Sequence, residues 1–561
     1  MNIVNSKVLK IIINIFKKFK LLTTLLIISI ICTILLSLLT PQVLKYIIDD
    51  YLILGKSNLL YIPALIYFFT LVLAGMFNLL KEGLLTIFGQ KIIKEIKEVM
   101  INKLEKIPIS YLSINPSGVI VSRFSNDVEA VGSLFTNGIV SMIIDILKII
   151  GIVISIWIFS YKLVILVILI IPVIYFLTRF FQKKMLSAQK LYRVLIGKVN
   201  NHIPETIKNI QMIKSFCKEK YMEEKYITYL NDSYDAMDKI NFYDSIFSPI
   251  ILIIRSIVIA VVVIISSDKL GFLGLSIGTV AASIELITNI FAPIESIGME
   301  LQTIQQSIAG IYRIDEFLDE DEDIKKDNKL TLEYLINRRG NLNIIFDNVS
   351  FSYAEGVDVL SDISLVIKDK EKITFAGRTG SGKSTIFKLI LGLLVPRTGR
   401  VTLGGVDICK IPNYEKRKIF GYVEQSFRFI KGNVIDQITL GDKSIVYSDI
   451  VKAVKFVGLH EYILSFDEGY NTHVNEYLFS QGQRQLLSIA RAIVTNPPIL
   501  LLDEMTANLD LDTEDKIITV LKNASKDRTV LSISHRLSSK LISDRIILLE
   551  DKGIINYESA N

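Results

Sequence analysis

Histidine and cysteine are both scarce in this 561-residue chain, with four of the first and three of the second. The cysteines, Cys32, Cys217 and Cys409, stand far apart and form no CxxC pair, so neither a disulfide framework nor a zinc site is implied. Four histidines are also too few for a histidine-rich metal centre. Acidic residues fall slightly short of basic ones, 57 against 63, for a net charge of +6. A mild basic excess can serve nucleic acid, but half of the residues are hydrophobic and mean hydropathy is +0.44. Lysines facing the cytoplasmic side of a membrane explain the charge better, and no nucleic-acid partner is expected. The richness in Ile, Lys and Asn resembles an AT-rich coding bias and carries little functional weight.

The apolar residues are concentrated in the first three hundred positions. Crossing a bilayer takes roughly 20 mostly apolar residues. Six stretches qualify: Leu21–Leu39, Leu59–Leu80, Leu134–Phe159, Leu163–Phe180, Ile246–Ile265 and Phe272–Ile290. Lys7, Lys10, Lys17, Lys18 and Lys20 precede the first, which places the amino terminus in the cytoplasm. Short links then alternate with long charged ones, so both termini are expected inside. Helical periodicity continues through the long links, as in KIIKEIKEVMINKLEKI (Lys91–Ile107), and predicts helices that run well past the bilayer. A break is predicted at Asn115–Gly118, where Pro116 and Gly118 suit a turn. Asp145, Lys148, Arg255 and Glu285 fall inside the spans. They mark either a substrate pathway or structural pairs, Asp145 with Lys148 and Arg255 with Glu285. The sixth span is richest in small and polar residues and is the best candidate for lining a cavity or for close helix packing.

Composition changes after Ile314. The charge run Glu316–Lys329 reads as a solvated linker, and from Asn343 short apolar strands alternate with helices. The expected organisation is an α-helical six-span domain (1–314), a linker (315–342) and an α/β domain (343–561). In ITFAGRTGSGKSTIFKLILGLL (Ile373–Leu394), the run from Gly377 to Ser384 fits GxxxxGK[ST] between a strand and a helix. Such a loop cradles phosphate with successive N–H groups and a helix amino terminus. Gly377, Arg378, Thr379, Gly380, Ser381, Gly382, Lys383, Ser384 and Thr385 are therefore the candidate ATP-binding loop. Lys383 would reach the β- and γ-phosphates and Ser384 would ligate Mg2+. In ILLLDEMTANLD (Ile499–Asp510), a buried strand ends in two carboxylates. Asp503 is placed to hold Mg2+ through water and Glu504 to orient the attacking water. TVLSISHRL (Thr529–Leu537) is a third buried strand, ending in His535 near the γ-phosphate position.

With these motifs in hand, the chain resembles a half-transporter of the ATP-binding cassette family, of the exporter type. IPISYLSINPSGVIVSRFSNDVEAV (Ile107–Val131) is similar to the family's first intracellular loop, and Met212–Met222 to the approach to the second. The resemblance implies further roles by position. Tyr353 matches the aromatic that stacks on adenine. Gln425 matches the glutamine that touches Mg2+ and senses the membrane domain. Thr472 to Glu476 match the segment facing the coupling helices. Ser480, Gln481, Gly482 and Gln483 match the signature motif, Asp510 the loop that crosses to the partner, and His535 the switch histidine. In this family the signature closes over ATP held by the other subunit, so a dimer is implied. The sequence departs from the pattern at Gln481, where glycine is usual, at Phe479, where leucine is usual, and at Tyr477, Leu478 and Asn508. Gln481 is tolerated if its φ stays negative.

The expected function is ATP-driven export by alternating access, from a bacterial plasma membrane, by a homodimer. The alternatives are one half of a heterodimer, or an ATP-gated regulator or pore with little hydrolysis. Intact Lys383, Asp503, Glu504 and His535 argue against the latter. Six spans exclude a soluble cassette protein, and a fused membrane half argues against an importer. Only about twenty residues precede the first span, which speaks against a leader-peptide-cleaving exporter. Lipid, drug and small-peptide cargo all remain open.

Overall fold

The computed structural model describes residues 6–53, 61–267, 275–324, 326–339, 341–354, 357–475, 477–503, 511–533, 543–550 and 552–559. The chain divides into two compact units, one of residues 1–104 and 118–320, the other of residues 105–117 and 321–561.

In the first unit the Leu- and Ile-rich runs are helical, because a backbone in hydrocarbon must satisfy its own polar groups. The amphipathic α1 (Lys7–Lys18) is capped by Ser6 and leads into α2 (Lys20–Ile47). Then follow α3 (Tyr61–Leu104), α4 (Ile109–Ile114, in the second unit), α5 (Ser117–Ser122), α6 (Val128–Thr136) and α7 (Ile139–Phe159). The remaining helices are α8 (Tyr161–Lys208), α9 (Ile210–Ser215), α10 (Glu219–Ser267) and α11 (Ile277–Asp319). Six helical segments among the described residues are long and apolar enough to cross a membrane, matching the six expected runs. The 44 residues of α3 measure about 66 Å, roughly twice a hydrocarbon core, so the predicted overhang is present. The break expected at Asn115–Gly118 is wider, reaching from Leu104 to Ser117 and enclosing α4. The third span is interrupted at Gly138, where a Cβ would lie 2.6 Å from the Leu134 carbonyl. The sixth spanning helix, α11, starts at Ile277, where Asp49 grips its beginning, accepting from Gly278 N at 2.9 Å and Ser276 Oγ at 2.5 Å.

Of the pairs expected among the intramembrane charges, Asp145 and Lys148 do interact, and Asp145 also reaches across to another helix. Asp145 accepts a hydrogen bond from Ser296 and lies beside Glu300, both on α11. Helix α11 runs on past residue 314 and is fastened to α6 and to the residue before it. Arg313 makes a two-pronged bond to the buried Asp127, at 2.9 and 2.5 Å, and Ser307 Oγ bonds Ala130 O at 2.5 Å.

In the second unit the charge run is not simply solvated, contrary to expectation. Asp323 N donates to Lys106 O at 2.7 Å, Asp327 N to Lys410 O at 2.9 Å, and Lys326 Nζ to Cys409 O at 3.0 Å. After α12 (Leu332–Arg339) come β1 (Ile344–Ala354), β2 (Val357–Ile367), β3 (Lys372–Gly377) and α13 (Lys383–Ile390). Next are β4 (Thr398–Leu403), β5 (Val406–Asp407), α14 (Asn413–Ile419), β6 (Phe420–Val423), α15 (Val434–Thr439), α16 (Tyr447–Phe456) and α17 (His460–Leu464). The chain closes with α18 (Gln481–Ile493), β7 (Ile499–Asp503), α19 (Leu511–Ala524), β8 (Thr529–Ile533), β9 (Arg545–Glu550) and β10 (Gly553–Ser559). An antiparallel sheet ordered β2-β1-β4-β5 accompanies a sheet ordered β10-β9-β3-β8-β7-β6, parallel from β9 to β6. The two sheets share one core around α13, with Phe346, Phe375 and Phe387 fully buried in it.

Candidate functional site

The site begins where β3 ends. Strand β3 is buried and parallel to its neighbours, and the chain leaves it through Gly377. Gly377, Gly380 and Gly382 hold φ of 147°, 88° and 96°, values that a side chain disfavours, and these let the loop curl. The curled loop delivers the chain to α13, with Gly382 at its cap. Lys383 is buried in its first turn, and its ammonium donates to the carbonyls of Gly377 (2.9 Å) and Arg378 (2.8 Å). The Ser381 hydroxyl is buried in the same loop and meets no hydrogen-bond partner among the described residues. A buried polar atom is normally paired, and phosphate oxygens would pair this one. Arg378, Thr379, Ser384 and Thr385 complete the loop, and the Tyr353 hydroxyl sits 3.3 Å from that of Thr385. Tyr353 is thereby anchored at the mouth of the loop, edge-on to Phe351 and with Lys388 5.7 Å from its ring centre.

The carboxylate comes from the same edge of the sheet. Ile533 of β8 is in register with Phe375 of β3 on one side and with Asp503 of β7 on the other. The three strands run parallel, so the loop after β3 and the carboxylate ending β7 emerge together, about 10 Å apart across β8. Asp503 is nearly buried and accepts a hydrogen bond from the Tyr422 hydroxyl at 3.2 Å. Burial and the neighbouring carboxylate push the Tyr422 phenol well above its usual range, so it stays a donor. Tyr422 was missed from sequence, although its place three residues before Gln425 in GYVEQ was a usable signal. Gln425 follows β6 with an exposed side chain, and its carbonyl accepts from Gln485 Nε2 at 3.2 Å. Glu504, Asp510 and His535 lie outside the described residues, as do Glu476 and Asn508.

The polar knot before α18 is a reciprocal cap. Ser480 Oγ accepts from Gln483 N at 3.3 Å, and Gln483 Oε1 accepts from Ser480 N at 2.8 Å. Gln481 is the first helical residue and keeps a negative φ, which meets the condition for a side chain there. Gly482 is demanded by packing, since a Cβ would lie 2.3 Å from Thr513 Cγ2 of α19. Phe479 fills an aromatic pocket with Tyr462 and Phe466, each 5.9 Å away between ring centres. Tyr477 is almost fully exposed, and nothing in the structure explains its size. The segment 472–475 pairs with the start of α15, Val434 N donating to Thr472 O and Val474 N to Gly432 O. Gly482 of the knot packs on Thr513 of α19, whereas Gly377 and Gly382 of the loop after β3 pack on Leu549 of β9 and Leu360 of β2.

Residues 23–294 match the ABC transporter transmembrane region, and residues 360–507 match the ABC transporter family. The chain is also 30% identical to the lactococcin-A transport/processing ATP-binding protein of Lactococcus lactis subsp. lactis, over 94% of this chain and 73% of that protein. This chain is an ABC transporter. It is 28% identical to an ATP-dependent lipid A-core flippase of Syntrophus aciditrophicus, over 95% of this chain and 89% of the flippase. Its fold is that of a bacterial Atm1-family ABC exporter solved with ATP bound, with a TM-score of 0.76, 22% identity and 95% coverage of both chains. The order of six apolar helices and one nucleotide-binding domain is that of an exporter half. The ABC transporter is accordingly a multi-pass membrane protein that binds and hydrolyses ATP to drive export. As a half-transporter it works as a dimer with another ABC chain.

Proposed function

We propose that two copies of this chain form a homodimeric exporter in which each ATP lies between the loop after β3 of one copy and the Ser480 knot of the other. The observation that carries this reading is the common sheet edge: the loop leading to Lys383 leaves β3 and Asp503 ends β7, two strands parallel to β8 between them, while the Ser480 knot caps a different helix, α18. Adenine stacks on Tyr353, and Gly377 to Thr385 hold the phosphates. Gly482, Gln483 and Asp510 act from across the interface. Asp503, Ser384 and Gln425 offer carboxylate, hydroxyl and amide oxygens, a donor set suited to a hard cation such as Mg2+. When bound, that ion supplies charge neutralisation on the β- and γ-phosphates. Glu504 orients the attacking water, and His535 steadies the γ-phosphate end. Exchange of ATP for ADP then shifts the population between inward- and outward-open forms by differential affinity. Homodimerisation is favoured because one chain keeps both half-sites whole: Phe479 and Gln481 depart from the usual residues, yet both fit. The lysines before the first span and the long charged links support a reading with both termini in the cytoplasm, at a bacterial plasma membrane. The lipid, drug and bacteriocin names among the relatives bracket the cargo.

The test is ATP hydrolysis by the purified chain in lipid, with its mass in solution. A dimer whose activity disappears in Glu504→Gln, with ATP trapped, supports the reading. Normal turnover in that variant refutes the role of Glu504, and an inactive or monomeric wild type refutes the homodimer.

A further inference from the structure

The crossed site leaves one conspicuous side chain without a task. Tyr477 is 94% exposed, more than any other large apolar or aromatic residue among the described residues. Single surface aromatics are ordinary, but the backbone beneath this one is fixed. Tyr477 N donates to Asn475 Oδ1 at 3.0 Å, closing a side-chain turn. Leu478 packs against the core, and its carbonyl accepts from the Tyr462 hydroxyl at 2.9 Å. Phe479 is buried between Tyr462 and Phe466. The phenol ring is therefore held out from its own chain at the head of the Ser480 knot. Tyr477, Ser480 and Gln481 are all exposed in this stretch, whereas Phe479 and Gly482 are buried, so ring and knot share one outward surface.

Reach and chemistry then decide what that ring can meet. Three residues of chain lead from Tyr477 to Ser480, a span of at most about 10 Å. That is comparable with the distance from the terminal phosphate of ATP to its base. With the knot at the phosphate end of a nucleotide held by another copy, a ring standing this far off lies level with the base. Tyr353 supplies one face there, its hydroxyl tied to Thr385 and its ring set edge-on to Phe351. A flat base stacked on Tyr353 has a second face to cover. An anchored, outward-facing aromatic gives up little conformational freedom when it stacks.

We propose that Tyr477 stacks on the second face of the base of the nucleotide bound by the other copy, so that adenine is clamped between Tyr353 of one chain and Tyr477 of its partner. The proposal rests on the crossed-dimer reading and adds to it a residue that sets affinity for the base. Full-length Glu504→Gln protein in lipid is loaded with Mg2+ and 2-azido-ATP, whose base carries the photoreactive group, then irradiated and digested. Mass spectrometry is expected to find label on the peptide bearing Tyr477 as well as on the one bearing Tyr353. Trapped nucleotide with label on the Tyr353 peptide alone overturns the proposal and leaves the crossed dimer standing. A monomeric mass, or no trapping, overturns the crossed dimer and the proposal with it. Hydrolysis with Glu504 intact gives a second readout. Tyr477→Ala should raise KM for ATP about tenfold with little change in kcat, because stacking binds ground and transition states alike. Tyr477→Phe should keep the wild-type KM, and so should Tyr414→Ala, which removes an exposed aromatic from α14. An unchanged KM in Tyr477→Ala overturns the proposal, and so does an equal rise in Tyr477→Phe or in Tyr414→Ala.

Discussion

Tyr422 shows how a single side chain can matter without touching substrate. Its hydroxyl donates to Asp503, and a hydrogen bond to a charged group contributes about 1.5–3 kcal/mol. Tyr422→Phe should leave the fold intact and lower ATP hydrolysis about tenfold, chiefly by raising the Mg2+ concentration needed for half-maximal rate. An unchanged Mg2+ titration would show that Asp503 needs no such support. Phe479 is a residue-scale case of the opposite kind, one that matters through packing. It is 1% exposed between Tyr462 and Phe466. Truncation to Ala should cost about 3–5 kcal/mol, whereas the family's usual Leu should cost less than about 1.5 kcal/mol. Thermal unfolding of the two variants side by side separates them.

At the scale of elements, the linker and α14 meet around a buried Lys416, whose ammonium donates to Gly392 O at 3.0 Å just beyond α13. Burial pushes Lys416 down from 10.5 to about 8. Below pH 8 folded and unfolded chains both carry the proton, and the fold bears the full cost of the buried charge. As pH rises above 8 the folded form releases the proton while the unfolded form keeps it, so stability rises. Cys409 acts in the other direction above pH 9, because burial lifts its thiol from 9.0 to about 11. Unfolding of the full chain should therefore become harder between pH 8 and 9, and Lys416→Met should flatten that rise. A slope that survives the substitution would place its origin elsewhere.

At the scale of the whole molecule, crossed half-sites make a prediction about mixed dimers. In a Glu504→Gln background, Lys383→Ala on one chain and Ser480→Ala on the other damage the same site, and one ATP per dimer should still be trapped. Both substitutions on one chain damage both sites, and trapping should vanish. The loss of the Ser480 cap costs about 1 kcal/mol in either arrangement, so it cancels from the comparison. The reverse result, trapping only when both substitutions sit on one chain, would mean that each signature serves its own chain.

The sequence by itself determined the six spans, the helical overhang, the loop from Gly377 to Thr385 and the strand ending in Asp503. Each is written in contiguous residues, as an apolar run of fixed length or as glycines at fixed spacing beside a strand. Tertiary structure alone decided the partnerships that join distant positions. Tyr422 reaches Asp503 only because β6 and β7 are neighbours in the sheet. Gly482 is required only because α19 passes over it, and Asp145 reaches Ser296 because α7 and α11 pack together. Hydrophobic period and turn chemistry are local and so can be read along the chain. Which buried polar group meets which depends on strand order and helix packing, and those exist only after folding.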